Sequence, residues 1–403
     1  MKKLIALLLA LAMVACLFVG CNKTEAEVEP TEPAASDDAT EPVEDNGEEA
    51  TEPAIDYSAW KVAMVTDYGD ITDQSFNQTT YEAGKAWCEA RGVDFTYFKP
   101  TGDSTAERVA SIEMAIAEGY NVILLPGYAF GDAIAETADL YPEVYFIALD
   151  VGEGDFGGYV LPENVFSAVY QEELCGYMAG YAAVKLGYKH LAFLGGMAVP
   201  AVVRYGYGFV QGVDAAAVEL GIASEVVVDY VYGNQFFGDA DITAYMDTLY
   251  AGGLEVTFAC GGGIFTSAGE AAQKVGGKVI GVDVDQAATI DGLYGEGITV
   301  TSAMKGLGAT VKTLLTELCV NGNWANYAAQ IVTLGLVSAE DVEANYVQIP
   351  VASTQFADTF TQEDYVALVA AMYNGEITVS SDITVTAPEC ATAITVNDLG
   401  NIK

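Results

Sequence analysis

Residues 61–98 read KVAMVTDYGDITDQSFNQTTYEAGKAWCEARGVDFTYF and hold one complete strand–helix–strand unit. Lys61-Val62-Ala63-Met64-Val65 is an apolar run of strand length, stopped by the polar turn Thr66-Asp67-Tyr68-Gly69-Asp70. Apolar spacing predicts a helix from about Ser75 to Arg91, ended by Gly92, and residues 93–97 alternate like a strand. The alternation continues with helix 104–118, strand 121–125, helix 131–140 and strand 144–148. A second series places helices at 172–186, 201–220, 242–250 and 266–275 among strands at 191–194, 225–230, 255–259 and 278–282. A strand at 298–302 and a helix at 307–319 follow. A period of about 30 residues per strand–helix pair marks βαβ units around a parallel sheet. Two such series predict an α/β protein of two Rossmann-like lobes joined by a hinge. Strand ends then face one another across a cleft, where ligand groups belong.

The chain is expected to cross between lobes near 164–168, near 297–302 and once more after Val332. The first lobe would comprise 57–165 with about 298–340, and the second 166–297 with about 341–385, leaving 386–403 as a tail. Ahead of both lobes, Met1-Lys2-Lys3 and the apolar run from Leu4 to Val19 form a secretory signal through residue 20. The sequence Phe18-Val19-Gly20-Cys21 looks like a lipobox, with Cys21 as the lipidated residue. Residues 22–56 contain 13 Asp and Glu, one Lys and three Thr-Glu-Pro repeats, a composition that reads as a solvated tether.

Charge and histidine content exclude several functions. Sixteen Lys and Arg against 57 Asp and Glu leave a net charge of −41, which repels phosphate backbones and anionic lipid surfaces. Nucleic acid is excluded as a partner, and membrane contact is expected through the lipid alone. The single histidine, His190, excludes multi-His metal sites and most His-based catalysis. The sequence contains no HExxH, no paired CxxC and no GxxxxGK[ST] loop, so no metal or cofactor is expected. Cys88, Cys175, Cys260, Cys319 and Cys390 are odd in number and irregularly spaced, and read as small buried hydrophobes. His190, beside Lys189 and ahead of a strand, reads as a surface residue without a role.

Several motifs recur in a fixed order. Thr66-Asp67-Tyr68-Gly69 and Asp73-Gln74-Ser75-Phe76-Asn77-Gln78 come first, followed by Gly195-Gly196-Met197 with Pro200, Arg204, Gly208-Phe209 and Gly212. Next are Ile280-Gly281-Val282-Asp283-Val284-Asp285-Gln286 and Thr301-Ser302-Ala303-Met304-Lys305. Phe360-Thr361-Gln362-Glu363-Asp364-Tyr365 and Gly375-Glu376-Ile377 close the series. Over roughly 59–380 the chain resembles the basic membrane protein (BMP) lipoproteins, the purine nucleoside receptor A-like substrate-binding proteins of ABC transporters. The resemblance implies a type I periplasmic-binding-protein-like fold and a monomer anchored by lipid at the outer face of the cell membrane, extracellular or periplasmic. It also implies capture of a nucleoside by hinge closure and delivery to a permease and its ATPase, without catalysis. The chain departs from the family at Tyr81, where Trp is common, at Tyr205, where Phe is common, and over 232–239. The tail from Thr386 has no counterpart.

The resemblance makes Phe76 the residue that stacks on the base, and Asp283 with Lys305 the contacts to the ribose hydroxyls; Asn77, which can both donate and accept, suits a purine edge or is an ordinary residue of the helix's first turn. Asp67 and Asp150 each follow a strand and can accept from base N–H groups, or serve as turn residues. Asp73 belongs to the N-cap region of the first helix. Gly262, within Gly261-Gly262-Gly263, either lets backbone N–H groups approach the sugar or makes a bare turn. Phe236 or Phe237 is the candidate second aromatic face, with Tyr128 and Phe130 as rival wall residues. Arg204 is expected to pair with a neighbouring acid. The candidate groups are mainly carboxylates, so a neutral nucleoside fits better than a nucleotide. A sugar, riboflavin or a small signalling molecule, or a sensory role, stays open. A metal-dependent nucleoside hydrolase would use Asp283 and Asp285 with two further Asp, where Thr289 and Ile290 stand.

Overall fold

The computed structural model describes residues 56–403; the signal, Cys21 and nearly all of the acidic tether lie outside the described residues. The first lobe is built on a parallel sheet of β1 (Lys61–Val65), β2 (Asp94–Phe98), β3 (Val122–Pro126), β4 (Tyr145–Leu149), β5 (Val165–Tyr170) and β11 (Gln330–Leu334). Its spatial order is β2-β1-β3-β4-β5-β11. The second sheet holds β6 (His190–Gly195), β7 (Val227–Tyr232), β8 (Val256–Cys260), β9 (Lys278–Asp283) and β10 (Thr299–Lys305). Its order, β7-β6-β8-β9-β10, repeats that of the first. β12 (Val347–Gln348) joins β10 antiparallel, and β13 (Thr395–Asn401) joins β7 parallel. Helices cover both faces of such sheets, so central strands are apolar throughout. Val122-Ile123-Leu124-Leu125-Pro126 is buried at every position.

The helices that set the cleft are α1 (Phe76–Glu89), α4 (Glu172–Lys185) and α5 (Pro200–Glu219). Between α1 and α4 lie α2 (Thr105–Ala117), capped by the Ser104 hydroxyl accepting from Glu107 N, and α3 (Gly131–Thr137). α4 and α5 pack backbone against backbone through Gly176 and Gly180 on one helix and Gly208 and Gly212 on the other. A Cβ at Gly208 would overlap the carbonyl oxygen of Glu173, and one at Gly176 that of Tyr205. α6 (Ala240–Ala251), α7 (Phe265–Val275) and α8 (Ala287–Tyr294) complete the second lobe. α9 (Leu307–Cys319) returns to the first lobe and packs on α1, where Trp87 Nε1 donates to Thr316 Oγ1 at 2.9 Å. α10 (Gln362–Tyr373) opens with a capping box between Thr361 and Asp364.

Strand membership moves the lobe crossings. β5 pairs with β4 in the first sheet and β10 with β9 in the second. The chain therefore crosses after these strands, at about residues 171 and 306, and not ahead of them near 165 and 298. Asn164 is no hinge: its side-chain amide donates to the carbonyls of Ala138, Tyr141 and Val144 at 2.9–3.1 Å. The third crossing lies between β11 and β12. Residues 386–403, unassigned by the sequence pattern, supply β13. The five cysteines of the described residues are free, four of them buried. His190 is not idle, because its Nε2 pairs with Asp229 Oδ2 at 2.8 Å.

Candidate functional site

Both sheets point their C-terminal strand ends at one cavity of about 900 Å³, lined from both lobes. Asp67, Phe76, Asn77, Asp150, Phe236, Phe237, Gly262, Asp283 and Lys305 all lie on its lining. So do Tyr128, Asp73 and Arg204, whereas Phe130 is buried in the core of the first lobe. Asp150 follows β4 and Asp283 ends β9, equivalent places in the two lobes. Both have left-handed backbone, with φ of 61° and 65°. Non-glycine residues seldom hold that conformation, and where they do the strain clusters at binding sites.

The two aspartates meet on one ammonium group. Lys305, at the end of β10, is paired with Asp150 and lies 3.5 Å from Asp283 Oδ1 and 3.6 Å from Glu172 Oε1. Glu172, the first residue of α4, also accepts from Arg204 Nε at 2.7 Å, so Arg204 does pair with an acid. Aromatic rings close around the ammonium, with Nζ 4.8 Å from the Phe76 ring centre, 5.5 Å from Tyr205 and 5.7 Å from Tyr170. Burial works against the charge on Lys305, but the three carboxylates outweigh it and hold the ammonium well above the usual lysine range. Burial pushes the Asp150 carboxyl up to about 7, against the pull of Lys305. Burial raises Glu173, the next residue on α4, to about 7 as well. Both shifts have burial as their main cause, and the neighbouring Glu172 carboxylate adds to each.

The structure revises several assigned roles. Asp283 has its oxygens engaged by Ser75 Oγ at 2.6 Å and Tyr205 hydroxyl at 3.3 Å, besides Lys305, so neither Asp283 nor Lys305 is a free ribose contact here. Asp150 does not face the ligand space with both oxygens: Oδ2 holds Lys305, and Oδ1 is buried without a partner. Asp67 Oδ1 accepts from Tyr68 N and Gly69 N at 2.6 Å and from Asn77 Nδ2 at 3.2 Å, a turn arrangement. Asp73 caps α1 through Ser75 N, Asn77 N and Gln78 N. The Asn77 amide nitrogen thus donates to two carboxylates, at 3.2 Å to Asp67 and 3.0 Å to Asp73, which fixes the amide orientation. Its Oδ1 is buried and unpartnered, so Asn77 offers a ligand an acceptor only.

Cross-lobe bonds hold the cleft edges together. Besides Ser75–Asp283, Gln286 Nε2 donates to Gln74 O at 3.0 Å and Tyr68 hydroxyl to Met197 Sδ at 3.4 Å. Phe236 sits over Gly196, where a Cβ would overlap its ring, and its centroid is 6.3 Å from that of Tyr68. Phe237 is largely exposed. Sequence reasoning missed Glu172, Tyr170, Tyr205, Ser75 and Gln286 as site residues. The repeat of strand order could have found Tyr170, which ends β5 as Lys305 ends β10.

The raised carboxyls fix the sign of a pH dependence. Unfolded carboxyls titrate near 4, so between about 4 and 7 the folded protein holds protons that the unfolded chain has released. Stability is therefore expected to fall as pH rises from 5 to 8, and to level off above that. Thermal midpoints across this range check it, and Glu173→Gln should flatten the slope; a midpoint that climbs from 5 to 8 would contradict the assignment.

Residues 60–379 match the family described as ABC transporter substrate-binding protein PnrA-like (Bmp). A protein of Lactococcus lactis, ABC transporter nucleoside-binding protein BmpA, is 28% identical over 239 residues, 56% of this chain and 64% of that protein. Basic membrane protein B of Borreliella burgdorferi is 27% identical over 285 residues, covering 68% of this chain and 78% of its own. The chain thus spans somewhat under two thirds of the Lactococcus protein. A solved ABC transporter solute-binding protein of Aeropyrum pernix superposes with TM-score 0.60 at 21% identity, over 82% of this chain and 90% of that one. A second, from Conexibacter woesei, gives 0.61 at 21%, over 80% and 99%. These likenesses show the two-lobed fold of type I periplasmic binding proteins. No described helix is long and apolar enough to cross a membrane. With the family match spanning nearly all of both lobes, the chain belongs to the PnrA-like (Bmp) substrate-binding proteins of ABC transporters, which bind solutes and are not enzymes.

Proposed function

We propose that this protein captures a neutral nucleoside, of the purine class, between its lobes and delivers it to an ABC permease and its ATPase. It would work as a monomer held at the outer face of the membrane by a lipid on Cys21. The observation that carries the ligand reading is the polarity of the unpartnered groups in the cleft. Asn77 Oδ1 is an acceptor, buried and without a partner, and Asp150 Oδ1 is another when its carboxyl is ionised. A purine base edge brings N–H donors, and leaving such acceptors unpaired costs about 1–3 kcal/mol each. The flat faces of Phe76, Phe236 and Tyr68 on the lining suit a base. The lining cations are already paired, Lys99 with Asp70 at 2.7 Å, Arg204 with Glu172 and Lys305 with Asp150, which leaves no charge for a phosphate. The Lactococcus relative, an ABC transporter nucleoside-binding protein, supports the same reading.

The test is calorimetric titration of protein stripped of carried-over ligand by unfolding and refolding. Guanosine, adenosine or inosine should bind, and the corresponding monophosphates should not. Phe236→Ala should weaken binding about 10- to 100-fold, the worth of one base–aromatic stack. A folded sample that takes up none of the nucleosides would overturn the reading, and sugars and riboflavin would be titrated next.

A further inference from the structure

The family match ends at residue 379, yet the chain continues as an ordered strap around the second lobe. Ser380 exchanges two bonds with the Gln211 side chain of α5, at 2.8 and 3.0 Å, and Tyr207 hydroxyl donates to Val385 O at 2.8 Å. Between these anchors Ile383 joins the cavity lining. The Asp214 carboxylate then accepts from Thr392 N, Thr392 Oγ1, Ala393 N and Ile394 N at 2.6–3.0 Å. β13 runs on beside β7, and Ile402 N donates to Tyr232 O at 2.9 Å, the last residue of β7. The next residues of that chain form the loop 233–239, which carries Phe236 and Phe237 into the cleft.

Lys403 finishes the contact. Its ammonium is paired with Asp239, and Gln235 Nε2 donates to the same Asp239 carboxylate at 2.8 Å and to Phe237 O at 2.9 Å. Asp239 caps α6, accepting from Asp241 N and Ile242 N at 3.0 Å. The Lys403–Asp239–Gln235–Phe237 chain therefore spans the aromatic loop from its far end, while Gly233 N and Asn234 N donate to Gly195 O and Gly196 O at 2.8 and 2.9 Å and Phe236 O accepts from Gly263 N at 2.9 Å. We propose that residues 380–403 are a strap that completes the second lobe's side of the cleft, with Lys403 as the positioning residue for Phe236 and Phe237. It lies outside the stretch shared with the family, so it tunes this chain's cleft separately from the common site. Its effect on affinity rests on the nucleoside reading; its effect on the loop does not.

The test uses the whole protein with Lys403→Ala and Lys403→Arg. Amide hydrogen exchange at 233–239 should quicken about threefold to fivefold in Lys403→Ala, the reach of one part-exposed ion pair. Lys403→Arg should restore it, and exchange within 227–231 and the thermal midpoint should hold. Guanosine affinity should fall by a similar factor in Lys403→Ala, and by nothing further when Phe236→Ala is already present. Unchanged loop exchange, uniform loosening of the lobe with a lowered midpoint, or an equal affinity loss in the Phe236→Ala background would each overturn the proposal. If the wild-type protein binds no nucleoside, the functional reading fails and the exchange result alone decides the strap.

Discussion

Lys305→Met is expected to destabilise the protein by about 3–5 kcal/mol at pH 8, because it leaves buried carboxylates without their counter-charge. Methionine nearly matches the lysine stem in length, so packing changes little and the charge change dominates. Asp150, Asp283 and Glu172 would then face one another with Arg204 as their remaining cation. The penalty should shrink on acidification. Asp150 already titrates at about 7 with Lys305 beside it, and loses that opposing pull in the variant, so a proton can replace the missing ammonium below neutrality. Urea unfolding at pH 5 and pH 8 measures both figures. Adding Asp150→Asn should recover part of the loss at pH 8, since a neutral amide needs no counter-charge, although its buried oxygen and nitrogen still need partners. A loss below about 1 kcal/mol in the single variant, or strict additivity in the double, would mean that the cluster is solvated and not a buried ion network.

That cluster shows how far the sequence can be read. Alternating apolar runs placed the two βα series, because strands buried on both faces must be continuously apolar and their helices must repeat every three to four residues. Asp67, Asp150 and Asp283 were legible as cleft residues for the same reason, as each stands where a parallel strand stops. What each side chain does there was less legible. Asp283 and Lys305 look like a pair from neighbouring strand ends, but Glu172 and Asp150 reach the same ammonium from other elements, and no local spacing encodes that meeting. Ser75 reads as a helix start; it also reaches across to Asp283 Oδ2 on the other lobe, a contact 208 residues away in sequence. The crossings at 171 and 306 were misplaced by a few residues because residues 165–170 were not read as a strand, and only sheet pairing assigns β5 and β10 to their lobes. β13 was invisible for another reason. Thr395-Val396-Asn397-Asp398-Leu399-Gly400-Asn401 is largely exposed and polar, so it shows no core pattern, and it holds its place through backbone bonds to β7.

Gly208→Ala should be destabilising by about 3 kcal/mol, against the roughly 1 kcal/mol gain that helix propensity alone would give. Gly208 lies mid-way along α5, where alanine is the better helix former, so the two effects have opposite signs. The packing term is expected to win because the atom in the way is the Glu173 carbonyl oxygen, part of the α4 backbone, which cannot swing aside as a side chain can. Gly292 supplies the control: it is exposed on α8 and a Cβ there meets nothing within 4 Å, so Gly292→Ala should gain about 0.5–1 kcal/mol. Equal gains at both positions would mean that α4 and α5 are free to separate. Separation would not stop at stability. Glu172 stands at the head of α4, and Arg204 and Tyr205 lie one turn before Gly208 on α5, so the close helix contact sets the reach of Glu172 to Arg204 at 2.7 Å and of Tyr205 to Asp283 at 3.3 Å. Pushing the helices apart draws these groups off the Lys305 cluster, and that cluster holds Asp150 with its unpartnered oxygen on the cleft. Gly208→Ala should therefore weaken nucleoside binding in the fraction that remains folded, which titration below the midpoint of unfolding can measure. Undiminished affinity in that fraction would separate the helix contact from the site.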